Sequence, residues 1–220
     1  MSLKIERFVN ELMSSNCYLV VDEISKHCLC IDPASEKSLR EIEYIETHGL
    51  KLDYIILTHE HTDHTWGVNA LIDMWPEAKI VCSELCEKYA KRASRVYFLF
   101  YYDRPDYRYV VYPADVIIHN DGEKINWIDY LLQFYLTPGH SYGSMCLSIG
   151  DFIFTGDTIM PFAPYFNGRD SDELNWDVSI RKVLSIYDID CIIQPGHGDA
   201  LTIKEWKDKY YNNGNISNKN

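Results

Sequence analysis

The chain has 220 residues, of which 46% are hydrophobic and 25% charged, so its composition is that of one globular domain. It carries 21 basic and 33 acidic residues, and the net charge of −12 argues against nucleic acid or an anionic membrane as a partner. No apolar run approaches the length of a membrane span, and the N-terminus lacks a basic segment followed by an apolar one. We therefore expect a cytoplasmic protein.

Strand-like and helical patterns alternate along the first half of the chain. We predict strands over residues 3–9, 17–22, 28–32, 53–58 and 78–82, and helices over 35–48 and 66–74. The second half predicts a meander of four short strands, over residues 115–119, 130–136, 145–149 and 152–154. After the meander we predict two helices, over 175–187 and 201–211, with a strand at 191–194 between them.

These elements predict two packed sheets covered by helices, because most of the strands are too apolar to leave one face in water. We expect a single domain over residues 1–212, followed by a disordered tail at 213–220.

Four strand-like runs each end in a turn that carries side chains able to bind metal. These turns begin at His59, His140, Asp157 and His197. Loops at the ends of neighbouring strands converge while the sheet holds their bases in place. We therefore expect the four turns to meet at one edge of the molecule.

The first of these turns has a spacing that suits two metal ions. His59 and His61 are two residues apart at a strand end and can project from the same side of extended backbone, so they can share one ion. Asp63 and His64 are adjacent in a turn and can bind a second ion. Imidazole and carboxylate without thiolate suit zinc, iron or manganese, and a carboxylate such as Asp157 can bridge two ions about 3.5–4 Å apart.

The candidate ligands and the order in which they occur along the chain resemble the metallo-β-lactamase superfamily, and the resemblance covers nearly the whole chain. The resemblance runs from Asn16-Cys17-Tyr18-Leu19-Val20 and Ile31-Asp32-Pro33 to Pro195-Gly196-His197-Gly198. It implies the α/β fold known as the four-layer αβ/βα sandwich. It also implies one metal at His59, His61 and His140, a second at Asp63, His64 and His197, and Asp157 as the bridge.

Within that superfamily the chain looks most like the glyoxalase II (hydroxyacylglutathione hydrolase) branch. The likeness lies in Thr137-Pro138-Gly139-His140-Ser141-Tyr142-Gly143-Ser144, Phe154-Thr155-Gly156-Asp157-Thr158 and Asn167-Gly168-Arg169-Asp170. Few residues follow His197, so we do not expect the helical C-terminal domain that supplies much of the glutathione pocket in that branch.

We therefore predict a binuclear metal-dependent hydrolase that cleaves a small thioester or related acyl ester through a metal-bound hydroxide. Zinc is the first choice of metal, with iron and manganese as alternatives. Asp63 and Asp157 are the predicted catalytic carboxylates, and Asp32, Thr58 and Ser141 are predicted to hold the ligands in place.

Three other functions stay open at this point. The first is a mono-iron persulfide dioxygenase, which uses a closely similar ligand motif. The second is a lactamase, lactonase or phosphodiesterase relative, and the third is a non-catalytic binding protein on the same fold.

Substrate specificity is expected in the loops, and the aromatic segment 97–112 is the leading candidate. It predicts a lid or pocket wall, a homodimer interface, or ordinary core, and the sequence leaves all three open. The predicted pocket residues for a small-molecule substrate are Tyr97, Phe100, Tyr101, Tyr107, Phe162, Tyr165 and Arg169. The isolated histidines are predicted to be structural, and these are His27, His48 and His119.

Overall fold

The computed structural model describes residues 3–10, 13–91, 108–162 and 170–211, and it contains two six-stranded sheets. The strands are β1 Leu3–Val9, β2 Asn16–Asp22, β3 His27–Ile31, β4 Lys51–Ile56, β5 Lys79–Ser83, β6 Val116–Ile118, β7 Glu123–Trp127, β8 Tyr130–Leu136, β9 Met145–Ile149, β10 Phe152–Gly156, β11 Ile192–Pro195 and β12 Leu201–Thr202. The helices are α1 Leu39–Thr47, α2 Thr62–Thr65, α3 Val68–Met74, α4 Glu84–Ala90, α5 Glu173–Ile186 and α6 Ile203–Trp206, and α6 continues as a π-helical turn over Lys207–Tyr211. None of the helices in these ranges is both long and apolar enough to cross a bilayer.

The first sheet has the strand order β1-β2-β3-β4-β5-β6. Strands β1 to β3 are antiparallel, whereas β3, β4, β5 and β6 are parallel. The carboxyl ends of these four parallel strands therefore lie at one edge of the sheet. The loops that follow β3 and β4 both start at this edge.

The second sheet has the order β12-β11-β10-β9-β8-β7. Strands β7 to β10 form an antiparallel meander, and β11 pairs with β10 in parallel after α5. Because β8 and β10 both run opposite to β9, the strands β8, β10 and β11 share one direction. Their carboxyl ends also lie together, and each carries one of the predicted ligand turns.

Three apolar clusters separate the layers of the fold. Alternate side chains of β2 and β3 point to opposite faces: Leu19 and Cys30 pack under the helices of the first sheet, whereas Tyr18 and Leu29 pack against the second sheet. A third cluster, which includes Trp176, lies between the second sheet and helices α5 and α6. This helix–sheet–sheet–helix order confirms the predicted four-layer sandwich.

The structure corrects the predicted elements at several places. Helix α4 was not predicted; Ser83 caps it through a hydrogen bond from the Cys86 amide to the Ser83 hydroxyl (3.1 Å). Strand β7 was also missed because it is a half-exposed edge strand with two charged residues. Strand β6 belongs to the first sheet and not to the meander.

The bounds of the predicted helices shift by up to four residues, and two of these shifts have a visible local cause. Helix α1 begins four residues later than predicted because Ser38 has a left-handed φ of 43°. The predicted helix 201–211 begins as a short strand and becomes helical after Thr202, where Thr202 and Glu205 form a reciprocal capping box. The predicted tail 213–220 lies outside the described residues.

Candidate metal centre

The ligand turns of both sheets meet at one edge of the sandwich. The first sheet supplies the turn after β4, and the second supplies the turns after β8, β10 and β11. Two backbone hydrogen bonds join the sheets here, from the Met145 amide to the Thr58 carbonyl (2.8 Å) and from the Asn16 amide to the Gly196 carbonyl (2.6 Å). The seven predicted ligands therefore come from segments that the fold holds side by side.

The first group of potential ligands consists of three imidazoles. His61 Nδ1 lies 3.1 Å from His59 Nε2 and 3.0 Å from His140 Nε2. A tetrahedral zinc ion with bonds of about 2.0–2.1 Å holds its ligand nitrogens about 3.3 Å apart. The separation of these three nitrogens is thus close to what one ion requires.

The second group consists of two imidazoles and a carboxylate. His64 Nε2 lies 3.3 Å from His197 Nε2, and Asp63 Oδ2 lies 3.6 Å from the first nitrogen and 3.4 Å from the second. His64 is fully buried, whereas Asp63 and His197 are partly exposed. This group can therefore hold an ion that stays open to solvent on one side.

Asp157 lies between the two groups. Its Oδ1 is 3.5 Å from His64 Nε2, and its Oδ2 is 3.3 Å from His140 Nε2 and 3.6 Å from His197 Nε2. Its Oδ1 is buried and has no hydrogen-bond partner among the described residues. A carboxylate that faces both groups without receiving a hydrogen bond at this oxygen is suited to bridge two cations.

The position of Asp157 also explains the glycine that follows Pro195. A side chain at Gly196 would place its Cβ 2.1 Å from Asp157 Oδ1 and 2.9 Å from His64 Cε1. Only a residue without Cβ lets the turn after β11 approach this closely.

Oxygen atoms behind the imidazoles fix which ring nitrogen is free. His64 Nδ1 lies 3.1 Å from Asp32 Oδ2, and His61 Nε2 lies 3.0 Å from Asp170 Oδ2. Each of these outer nitrogens donates its proton to a carboxylate, so the inner nitrogen keeps a lone pair for a metal.

His59 is held in the same way through Thr58. The Thr58 hydroxyl donates to Asp32 Oδ2 at 2.5 Å, so its oxygen is left to accept from His59 Nδ1 at 3.0 Å. The predicted supporting residues Asp32 and Thr58 thus both contact the imidazoles directly. His140 differs, because its buried Nδ1 has no hydrogen-bond partner among the described residues.

The protonation states suit metal binding in two different ways. Burial and the neighbouring imidazoles lower the pKa of His59 well below its ordinary value, and burial lowers that of His140 to about 4. Both are neutral at pH 7. Burial also acts to lower the pKa of His64, but three surrounding carboxylates outweigh it and raise the pKa to about 10. A divalent ion would take the place of that proton.

Ser141, the third predicted supporting residue, contacts a carboxylate instead of an imidazole. Its hydroxyl donates to Glu60 Oε2 at 2.9 Å, and Glu60 Oε1 accepts from the Gly143 amide at 3.3 Å. Glu60 therefore fastens the loop that carries His140 to the turn after β4.

Sequence reasoning missed Glu60 and Asp170 as parts of the site. Glu60 could have been suspected from its place between two ligands, and Asp170 from the segment that carries the resemblance to glyoxalase II. Neither position predicts which partner it contacts.

Of the predicted pocket residues, only Phe162 belongs to the described part of the chain. It is 47% exposed, and its ring lies beside Gly198, next to His197. The other six predicted pocket residues lie outside the described residues, as does most of the aromatic segment 97–112.

The isolated histidines belong to none of the ligand turns and have ordinary partners. His27 Nδ1 lies 2.6 Å from Asp53 Oδ2, and His48 Nδ1 lies 2.8 Å from the Tyr44 carbonyl oxygen. His119 is exposed and lies 3.4 Å from Glu84. None of these three belongs to a group of potential metal ligands in the described residues.

The chain is similar in sequence to several known proteins. A probable polyketide biosynthesis zinc-dependent hydrolase of Bacillus velezensis is 24% identical over 189 residues, which is 86% of this chain and 75% of the relative. A hydroxyacylglutathione hydrolase of Aeromonas hydrophila is 28% identical over 142 residues, or 64% of this chain. This chain spans only 46% of that relative. An uncharacterized protein of Mycobacterium leprae is 26% identical and covers 90% of this chain.

Solved structures show the same fold. The BLEG-1 B3 metallo-β-lactamase superposes with a TM-score of 0.82 at 22% identity, over 93% of this chain and 97% of that one. The protein TTHA1623 in a di-iron-bound form superposes with a TM-score of 0.75 at 21% identity, over the same two shares. The model of the metallo-β-lactamase superfamily, a superfamily of metal-dependent hydrolases that bind divalent metals, matches residues 11–197. The chain belongs to the metallo-β-lactamase superfamily.

Proposed function

We propose that this chain is a binuclear metal-dependent hydrolase that cleaves a small thioester or a related acyl ester, with zinc as its metal. One observation carries the proposal: two groups of metal ligands face a common carboxylate, Asp157, while oxygens hold the outer nitrogens of three of the imidazoles. Two ions bound there would polarise a carbonyl oxygen and lower the pKa of a shared water to about 7.

Asp63 is suited to orient the attacking water. Burial acts to raise the pKa of this carboxyl, but His64 and His197 outweigh burial and hold the pKa well below its ordinary range. Asp63 therefore remains ionised at neutral pH and can accept a hydrogen bond from water. It borders the partly exposed side of the second group, from which a substrate can approach.

The state of the imidazoles favours a leaving group that needs no proton. The outer nitrogens of His59, His61 and His64 are already bonded to oxygens. A thiol with a pKa near ~8.5 can leave as a thiolate, whereas an amine must be protonated. This supports a thioester over an amide or β-lactam substrate.

The relatives support the same choice. One is named as a hydroxyacylglutathione hydrolase and another as a zinc-dependent hydrolase. Glutathione itself is not part of the proposal, because this chain spans less than half of the first of these relatives.

The test combines metal analysis with a substrate panel. We expect freshly purified protein to hold two divalent ions per chain and to hydrolyse small thioesters faster than matched oxygen esters or a β-lactam. Chelation and His61→Ala should each lower kcat/KM by more than a hundredfold, and zinc should restore the chelated protein. His119→Ala, which removes an exposed imidazole outside the site, is the control.

Three results would contradict the proposal. The first is a loss of less than a hundredfold after metal removal. The second is a single iron per chain together with oxygen uptake on a persulfide, and the third is faster turnover of the β-lactam than of any thioester.

A further inference from the structure

The turn that carries His197 is held from the opposite sheet by the start of strand β2. Residues 195–198 follow β11 in the second sheet, whereas β2 begins at Asn16 in the first. Ser15 forms an isolated antiparallel bridge with His197, and the Asn16 amide donates to the Gly196 carbonyl at 2.6 Å. The two segments are about 180 positions apart in the chain, so this contact is wholly tertiary.

The side chain of Asn16 spans this turn. Its Nδ2 donates to the Pro195 carbonyl and to the Gly198 carbonyl, each at 2.8 Å. These two acceptors flank the Gly196-His197 pair, so one amide group fixes both ends of the turn. Asn16 is 1% exposed, so water does not compete for these hydrogen bonds.

The acceptors also fix the orientation of the Asn16 amide. Both are backbone carbonyl oxygens, which can only accept, so the NH2 group and not the oxygen must face them. An aspartate here would place a carboxylate oxygen against two carbonyl oxygens. Tyr18 adds a second, smaller contact, because its hydroxyl donates to the Pro195 carbonyl at 2.7 Å.

We infer that Asn16 is a positioning residue for the second metal group, and this inference rests on the two-metal function proposed above. By fixing residues 195–198 it holds His197 Nε2 at 3.3 Å from His64 Nε2. An imidazole on a loosened turn would reach this distance in only part of the population, so the affinity of this group for metal would fall.

The effect should be confined to one of the two groups. The loop that carries His140 is held by different contacts, from Ser141 and Gly143 to Glu60 and from the Ser83 hydroxyl to the Gly143 carbonyl at 2.6 Å. None of these contacts involves Asn16. Loss of the Asn16 amide should therefore weaken the second group and leave the first intact.

The test compares Asn16→Ala with wild type and with Trp127→Phe. The control removes a partly buried hydrogen bond between the sheets at the other end of the molecule, from Trp127 Nε1 to Asp53 (2.8 Å). Zinc affinities are measured by competition with a chromophoric chelator. Asn16→Ala should weaken one zinc site by about 10–100-fold and leave the other within about twofold. Trp127→Phe should change neither site by more than about twofold.

A second measurement does not depend on metal. The Gly196 amide donates to the Gly156 carbonyl at 2.7 Å, so its hydrogen exchange in metal-free protein reports whether the turn is fixed. It should exchange at least about tenfold faster in Asn16→Ala than in wild type or Trp127→Phe. If Asn16→Ala does not fold, Tyr18→Phe should give smaller changes of the same kind. It loses the bond to the Pro195 carbonyl and the hydroxyl that accepts from Asn16 Nδ2 at 3.0 Å, but it keeps both bonds from Asn16 to the turn.

The outcomes separate this inference from the proposed function. Wild-type protein with two ions whose affinities are unchanged in Asn16→Ala would overturn the inference and leave the function standing. Equal weakening of both sites in Asn16→Ala would also overturn it. A wild type that holds one ion contradicts the function, and the Gly196 exchange rate then decides the inference by itself.

Discussion

The two edges of the sandwich each place a carboxylate beside an imidazole, and they differ in what else faces the carboxylate. At the edge away from the metal groups, Asp53 Oδ2 lies 2.6 Å from His27 Nδ1 and accepts from Trp127 Nε1 at 2.8 Å. At the metal edge, Asp157 faces three imidazole nitrogens at 3.3–3.6 Å, and its Oδ1 receives no hydrogen bond from the described residues.

This difference distinguishes a structural pair of carboxylate and imidazole from a carboxylate that can bind metal. The charge of Asp53 is satisfied by N–H donors of the protein, so an ion would add little. Asp157 faces the inner nitrogens of His64, His140 and His197, and the outer nitrogen of His64 is already bonded to Asp32. A buried carboxylate with too few hydrogen-bond donors, next to imidazole nitrogens that carry lone pairs, is stabilised when a cation binds there.

Replacement of each carboxylate by an amide should give the largest difference in activity between the two edges. Asp157→Asn removes the charge that faces both metal groups, and we expect kcat/KM for thioester hydrolysis to fall by about 10³. Asp53→Asn preserves the same volume and should leave kcat/KM within about twofold. Comparable losses of activity in the two variants would contradict the distinction.

The sequence predicted the seven potential ligands because each turn that carries them follows an apolar strand-like run. It could not place Asp170 against His61, because that contact joins residues 109 positions apart across two loops. Asn16 was visible only as part of a resemblance, and its contacts with residues 195–198 arise when the two sheets pack.

The sequence likewise predicted the apolar part of the fold and missed a more exposed strand. The apolar strands of both sheets were identified, but β7 was missed because its residues 123–127 are mostly half-exposed. Edge strands carry a weak periodic signal because they bury little of either face.

The carboxylates behind the imidazoles should have intermediate effects that differ between the two metal groups. Asp170→Ala removes the acceptor of His61 in the first group. Asp32→Ala removes the acceptor of His64 in the second group and also the acceptor of Thr58, which holds His59 in the first. We expect Asp170→Ala to weaken one zinc site and Asp32→Ala to weaken both, each by about 10–100-fold, measured by chelator competition. Asp199→Ala, which removes a 90% exposed partner of Arg7, should change neither site. Identical effects of Asp170→Ala and Asp32→Ala would argue against two separate groups.

Removal of the structural carboxylate should lower stability and not metal binding. Asp53→Ala leaves the buried Trp127 Nε1 without its acceptor, which costs about 1–3 kcal/mol. Urea unfolding of the metal-loaded protein should detect this loss, while the zinc content per chain stays the same. A loss of zinc in this variant would show that the two edges are not independent.

Among the described residues, Glu41 is a second buried carboxyl with an oxygen that lacks a donor, but it belongs to no ligand group. It is 1% exposed, and its Oε2 has no hydrogen-bond partner among the described residues. No group of potential ligands in those residues includes it. Burial raises the pKa of Glu41 above the ordinary 4.5, which favours the protonated carboxyl, whereas Asp157 faces a metal group.

The smallest predicted effect follows from this raised pKa. The folded state then binds more protons than the unfolded state, so the contribution of Glu41 to stability is lost as the pH rises above about 4.5 and levels off above the folded pKa. Glu41→Gln does not titrate. The difference in unfolding free energy between Glu41→Gln and wild type should therefore shift in favour of the variant between pH 4 and pH 7, with unchanged zinc content. Parallel pH profiles would mean that Glu41 is ionised in the fold, and a lack of donors would then not distinguish Asp157 from other buried carboxylates.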